Sequence, residues 1–114
     1  MPELFLKVSW PGAAPRAAAS PNIRHVGTIG GNLNQRPRCW YFRNTEFDCY
    51  KKGGNFCFAV TGSNTYHAIL NGELCYIVHP SDTAPALIAL GATAVISTAS
   101  AEKTVAVENY FTGP

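Results

Sequence analysis

From Leu33 to Cys75 the sequence shows neither the 3.6-residue apolar recurrence of a long helix nor the sustained alternation of a strand. Turn signals punctuate it at Gly53-Gly54-Asn55, Gly62-Ser63-Asn64 and Asn71-Gly72. An irregular connection of about 40 residues is uncommon in a compact domain unless it carries function. All four cysteines, Cys39, Cys49, Cys57 and Cys75, lie inside it. A cross-link or metal centre would supply the order that regular structure does not.

The spacing is C-x9-C-x7-C-x17-C. Structural zinc sites bring their ligands in close pairs, and compact ferredoxins use C-x2-C runs. Neither pattern occurs, so spacing alone names no metal. Three outcomes stay open: an iron–sulfur cluster, zinc, or two disulfides or inert buried thiols. Basic neighbours Arg36, Arg38, Arg43, Lys51 and Lys52 would balance a negative cluster. The aromatics Trp40, Tyr41, Phe42, Phe47, Tyr50, Phe56 and Phe58 would shield it. His25, His67 and His79 are far apart in sequence, and no nearby Ser or Cys marks a hydrolytic nucleophile.

The bulk numbers bound the rest. A length of 114 residues suits one domain, and 46% apolar with 14% charged residues argues against disorder. A net charge of +2 is too small to point to nucleic acid. No apolar run reaches the length of a membrane span. Met1 to Trp10 has Glu3 early and no basic region, so it does not read as a secretory signal. A soluble chain without its own export address is expected.

Outside the cysteine stretch the elements are short. Residues 1 to 15 read as irregular, broken by Pro2, Pro11, Gly12 and Pro15. Arg16 to Ser20 reads as a helix end stopped by Pro21, and Asn22 to Thr28 as an extended piece. Gly27-Thr28-Ile29-Gly30-Gly31-Asn32 has the makings of a phosphate loop, with glycines that permit positive φ and close backbone approach. It matches no standard nucleotide fingerprint. Cys75 to His79 reads as a short strand. Residues 81–90 read as a helix with Ser81 as N-cap, Asp82 at its positive end and Gly91 as C′. Ala84, Leu87 and Ile88 would face a core. Thr93 to Thr98 and Thr104 to Val107 read as two strands joined by a turn. The expected fold is α+β: a small antiparallel sheet with flanking helices and a long cysteine-bearing loop.

Three segments together resemble a known family. Ser20 to Asn32, SPNIRHVGTIGGN, resembles the second FAD-binding signature of the molybdopterin dehydrogenase FAD-binding family. His79 to Ala92 is similar to that family's following helix, and Lys103 to Pro114 to its ending. The family supplies the flavin domain or medium subunit of xanthine dehydrogenases, carbon monoxide dehydrogenases and aldehyde oxidoreductases. Most members have a short connection where this chain has residues 33–79. QRPRCWYFR, FDCYKKGGNFCFA and YHAILNGELCYIVHPSD look like the subgroup of the periplasmic aldehyde oxidoreductase flavin subunit.

The resemblance implies a partial FAD-binding (PCMH-type) subdomain over 16–114, the second of the family, after an unplaced 1–15. It implies a 4Fe-4S cluster in 33–79, held by Cys39, Cys49, Cys57 and Cys75. Thr28, Ile29, Gly30, Gly31 and Asn32 would hold the FAD pyrophosphate and ribityl chain. Asp82 would bond ribityl or ribose hydroxyls with Ser81 beside it, and Arg38 would reach the flavin side of the loop. On this resemblance the family's preceding subdomain, with its other FAD loop, and its C-terminal subdomain would both lie outside this chain. The chain would thus be a fragment of an electron-transfer FAD/iron–sulfur subunit of a molybdenum-containing aldehyde or xanthine-type oxidoreductase. Its expected partners are a molybdenum-cofactor large subunit and a 2Fe-2S small subunit of a heterotrimer. Its expected place is the cytoplasm, or the periplasm by co-export with a partner. The residues also admit a non-catalytic truncated domain with zinc or disulfide cysteines, and, more thinly, a stand-alone nucleotide-binding module.

Overall fold

The computed structural model describes residues 3–5 and 19–113. It divides into two units, one of Met1–Gln35 with Ser81–Thr112 and one of Arg36–Pro80 with Gly113–Pro114. The architecture is α+β, as expected.

The first unit holds the sheet. Its strands are β1 (Glu3–Phe5), β2 (Thr93–Ser97) and β3 (Glu102–Ala106), antiparallel in the order β1-β2-β3. Thr93 pairs with Ala106, Val95 with Thr104 and Ser97 with Glu102. The turn between β2 and β3 is tied by Thr98, whose backbone N–H donates to Ala101 O at 2.8 Å. β1 pairs Glu3 with Ser97 and Phe5 with Val95. This corrects the irregular reading of 1–15 at those three residues. The remaining residues of 1–15, and 16–18 of the expected helix end, lie outside the described residues.

Pro21 begins a helix instead of stopping one. Helix α1 (Pro21–Val26) has Ser20 as its N-cap, accepting from Ile23 N at 3.4 Å. Pro21 sits at N1, where its missing N–H has no helical partner to lose. The extended reading of Asn22 to Thr28 is overturned for the same reason: a Ser-Pro start outweighs the β-branched residues that follow. No residue of α1 is buried.

Helix α2 (Ile29–Leu33) follows at once, capped by Thr28. Further on, α4 (Ala84–Ala89), numbered after α3 of the second unit, is shorter than the expected 81–90. Its N-cap is Thr83, yet Ser81 still serves the helix start, its Oγ accepting from Ala84 N at 3.0 Å. Gly91 ends it at φ +62°, with Gly91 N donating to Ile88 O and Ala92 N to Leu87 O. That double bond around a left-handed glycine is the Schellman stop.

The core of this unit is Leu33, Ala84, Leu87, Ala94 and Val107, with Ala92, Tyr110 and Phe111 packed against it. Ile88 does not join it and is 39% exposed. The helix is too short for its apolar stripe to be covered over its full width.

The second unit is built of single turns: α3 (Trp40–Arg43) and 3₁₀ turns at Tyr50–Lys52 and Phe58–Val60. The expected strand at Cys75 to His79 does not form; Ala68 N donates to Tyr76 O at 2.8 Å, but no ladder follows. A β-rich sequence without a neighbour to pair with stays a loop. The unit's apolar centre is aromatic. Tyr41 meets Phe47 edge-on at 5.1 Å and Phe58 at 6.0 Å, and Phe58 meets Phe56 at 5.5 Å. Among the described residues, no helix is long and apolar enough to cross a membrane.

Candidate functional site

In the first unit, Thr28 organises the glycine segment. Its Oγ1 accepts from Gly31 N at 2.9 Å and its carbonyl from Asn32 N at 2.9 Å. Helix geometry leaves the amides of Ile29 and Gly30 without an acceptor inside α2. Gly31 is right-handed helical, so positive φ is not what glycine supplies here; among the described glycines only Gly53, Gly91 and Gly113 adopt it. What matters at Gly31 is room: a Cβ there would meet Thr28 Oγ1 at 3.0 Å.

Asn32 is an acceptor hub. Its Oδ1 receives the hydroxyls of Ser81 at 2.6 Å and Thr83 at 2.7 Å, and the backbone N–H of Thr83 at 3.3 Å. Ser81 and Thr83 are both buried. Two of the expected flavin residues, Asn32 and Ser81, therefore hold each other. They fasten the end of the glycine segment to the start of α4. Asp82 is exposed beside them. Backbone amides at the start of a capped helical turn are a donor type that suits an anionic oxygen such as a diphosphate.

In the second unit, the four cysteines are free thiols. Three share one local design. Cys39, Cys49 and Cys57 are the extended N-caps of Trp40–Arg43, Tyr50–Lys52 and Phe58–Val60, and none spends its side chain on the cap. Cys49 and Cys75 are buried; Cys39 and Cys57 are half-buried.

Burial pushes the Cys75 thiol above its ordinary pKa. A backbone hydrogen bond from Ile77 opposes that, the charges of Cys57 and Cys39 add to it, and Lys51 lowers it. Cys39 and Cys57 each lie within electrostatic reach of Cys75. In the metal-free protein, iodoacetamide should label Cys39 and Cys57 first and Cys75 among the last. Peptide mapping over time checks that order.

A single zinc ion needs its ligands about 2.3 Å from one point. Among the described residues, no three His, Cys, Asp or Glu side chains gather so. A four-iron cubane takes one thiolate at each corner and spreads them further apart. Four unpaired thiols in one unit fit that donor chemistry.

The charged and aromatic lining differs from expectation. Lys51 acts on Cys75. Arg43 Nε donates to Pro37 O at 3.0 Å, Lys52 Nζ to Asn44 O at 2.6 Å, and Arg36 lies over Phe42 at 5.2 Å. These three cations line an open cleft with Phe42, Phe47 and Asp48. Trp40 is 78% exposed and shields nothing, whereas Tyr41, Phe47 and Phe58 form the aromatic centre.

One contact escapes sequence reasoning altogether. His67 Nε2 lies 3.2 Å from Cys39 Sγ, across a separation of 28 residues. The histidines are thus not all remote from the cysteines, and only a fold could reveal it.

The FAD binding domain in molybdopterin dehydrogenase matches residues 4–114. The chain belongs to this family of FAD-binding domains. A relative is the aldehyde oxidoreductase FAD-binding subunit PaoB of Escherichia coli (strain K12), 42% identical over 78 residues. The aligned part is 67% of this chain and 24% of the relative, so the chain spans about a quarter of that protein's length. No solved structure matches. The matched span covers the capped glycine turn and the four cysteines alike.

Proposed function

We propose that this chain supplies part of an FAD site and a cluster-bearing loop to a molybdenum-containing oxidoreductase of the aldehyde type. The family match over residues 4–114 carries the reading, and the likeness to PaoB supports its aldehyde branch. When bound, FAD and a 4Fe-4S cluster would pass electrons received from a molybdenum centre on to an acceptor. No residue of this chain would touch the organic substrate. The partners would be a molybdenum-cofactor large subunit and a 2Fe-2S small subunit.

Within the flavin site, the amides of Ile29 and Gly30 and the capped turn of Thr28 and Gly31 would receive the pyrophosphate. Asn32 and Ser81 would fix that turn against α4, and Asp82 would accept hydroxyls of the ribityl or ribose. In the insertion, proposed as 33–79, Cys39, Cys49, Cys57 and Cys75 would ligate iron. Their availability as free thiols supports that assignment, as does the approach of Cys39 and Cys57 to Cys75.

The test is anaerobic purification of the whole protein with metal, sulfide and flavin analysis. About four irons per chain and matching labile sulfide are expected, as a 4Fe-4S cluster requires. Serine at Cys49 or Cys75 should abolish them. Zinc, or two disulfides without iron, would sink the cluster. Loss of all flavin from an otherwise folded protein would sink the FAD assignment.

A further inference from the structure

We infer that His67 is a positioning residue for Cys39: its Nε2–H donates to the Cys39 thiolate and raises the reduction potential of the centre that Cys39 holds. The inference rests on the reading of Cys39 as a cluster ligand. It deepens that reading by naming a residue outside the four cysteines.

Two observations fix the direction of the hydrogen bond. The first is the 3.2 Å approach of Nε2 to Sγ, both groups part-buried. A ligating thiolate carries no proton, so the proton between them must sit on Nε2. The second is Nδ1, a buried atom without a hydrogen-bond partner. A proton on Nδ1 would be a buried donor with nothing to accept it, and orphaned buried N–H groups are rarer than orphaned acceptors, so the tautomer with its proton on Nε2 suits the site. The ring is also held in place: His67 N donates to Asn64 O at 2.9 Å, and the imidazole lies 6.2 Å from the Tyr41 ring.

The consequence follows from charge. One-electron reduction adds one negative charge to the iron–sulfur–thiolate unit, and no proton moves. A fixed N–H dipole aimed at one thiolate stabilises the reduced form more than the oxidised one. Hydrogen bonds to sulfur are among the terms that set such potentials.

The experiment is an EPR-monitored redox titration of the whole protein, purified anaerobically, comparing wild type with His67→Phe and His67→Gln. Phenylalanine keeps the ring against Tyr41 and removes the donor. Glutamine keeps an amide N–H at a similar reach. At fixed poise, His67→Phe should raise the ratio of oxidised to reduced centre roughly tenfold, a shift of about 59 mV to more negative potential for a one-electron couple. His67→Gln should stay near wild type, with iron content unchanged in both. Equal potentials in wild type and His67→Phe, with iron retained, would overturn the role of His67 and leave the cluster standing. Loss of iron from both variants would overturn it too, by making His67 necessary for assembly. A wild type without iron would remove the cluster reading itself and the inference with it.

Discussion

Asn32→Ala should lower the stability of the flavin-binding unit by about 2–4 kcal/mol, whereas Asn32→Asp should leave it near wild type and weaken FAD binding instead. The two variants separate what Asn32 holds from what it faces. In the alanine variant the Ser81 and Thr83 hydroxyls and the Thr83 N–H lose their shared acceptor. Both side chains are buried, so the lost partners are not replaced freely by water. Each stranded donor costs about 1–3 kcal/mol. The Ser81 and Thr83 hydroxyls stand 3.4 Å apart and can turn to each other, which recovers part of the loss.

Aspartate keeps an acceptor oxygen for all three donors, and its charge strengthens those bonds. The same charge then stands beside the turn proposed to receive a diphosphate. A like charge close to a bound diphosphate, at an effective dielectric of about 20, costs on the order of 1–2 kcal/mol, or roughly five- to thirtyfold in affinity. Thermal denaturation and flavin titration of both variants are the measurements. If Asn32→Asp binds FAD as tightly as wild type, the glycine turn does not face the pyrophosphate.

The parts legible in the sequence are those decided within a few residues. The β2–β3 hairpin is readable because β-branched runs flank a polar turn, and the stop of α4 because Gly91 can take the positive φ its position demands. Pro21 shows the limit of local reading. Proline ends a helix from its interior and begins one at N1, and only the cap geometry of Ser20 decides between them. CYIVH fails as a strand because strand formation needs a partner that a linear reading cannot supply. At the candidate sites family likeness proposes the residues, and their arrangement cannot be read from the sequence. That Asn32 and Ser81 are engaged with each other, and that His67 reaches Cys39, depend on contacts spanning 49 and 28 residues. The N-cap placement of Cys39, Cys49 and Cys57 was within reach of sequence, since each precedes a short run of helix-compatible residues, but one-turn helices carry too little periodicity to register.

Leu87→Ala should destabilise the sheet-bearing unit by about 2–5 kcal/mol, and Ile88→Ala should change it by less than about 1 kcal/mol. The sequence assigns both to the core face of α4, and burial separates them: Leu87 is 0% exposed and Ile88 39%. The contrast is large because the core is small. Of its five buried members, Ala84 and Ala94 contribute a single methyl each, so Leu33, Leu87 and Val107 hold most of the apolar volume. Removing three carbons from one of them leaves a cavity that the rigid Schellman stop at Leu87–Ala92 cannot close by shifting the helix. The effect should extend to the candidate flavin turn, since Leu33, the last residue of α2, is packed in the same cluster and follows Asn32 directly. Denaturant midpoints of the two variants measure the first part. Hydrogen exchange at the Gly31 and Asn32 amides, both bonded to Thr28, measures the second, with faster exchange expected in Leu87→Ala alone. Equal destabilisation by the two variants would mean that α4 presents a different face to the core.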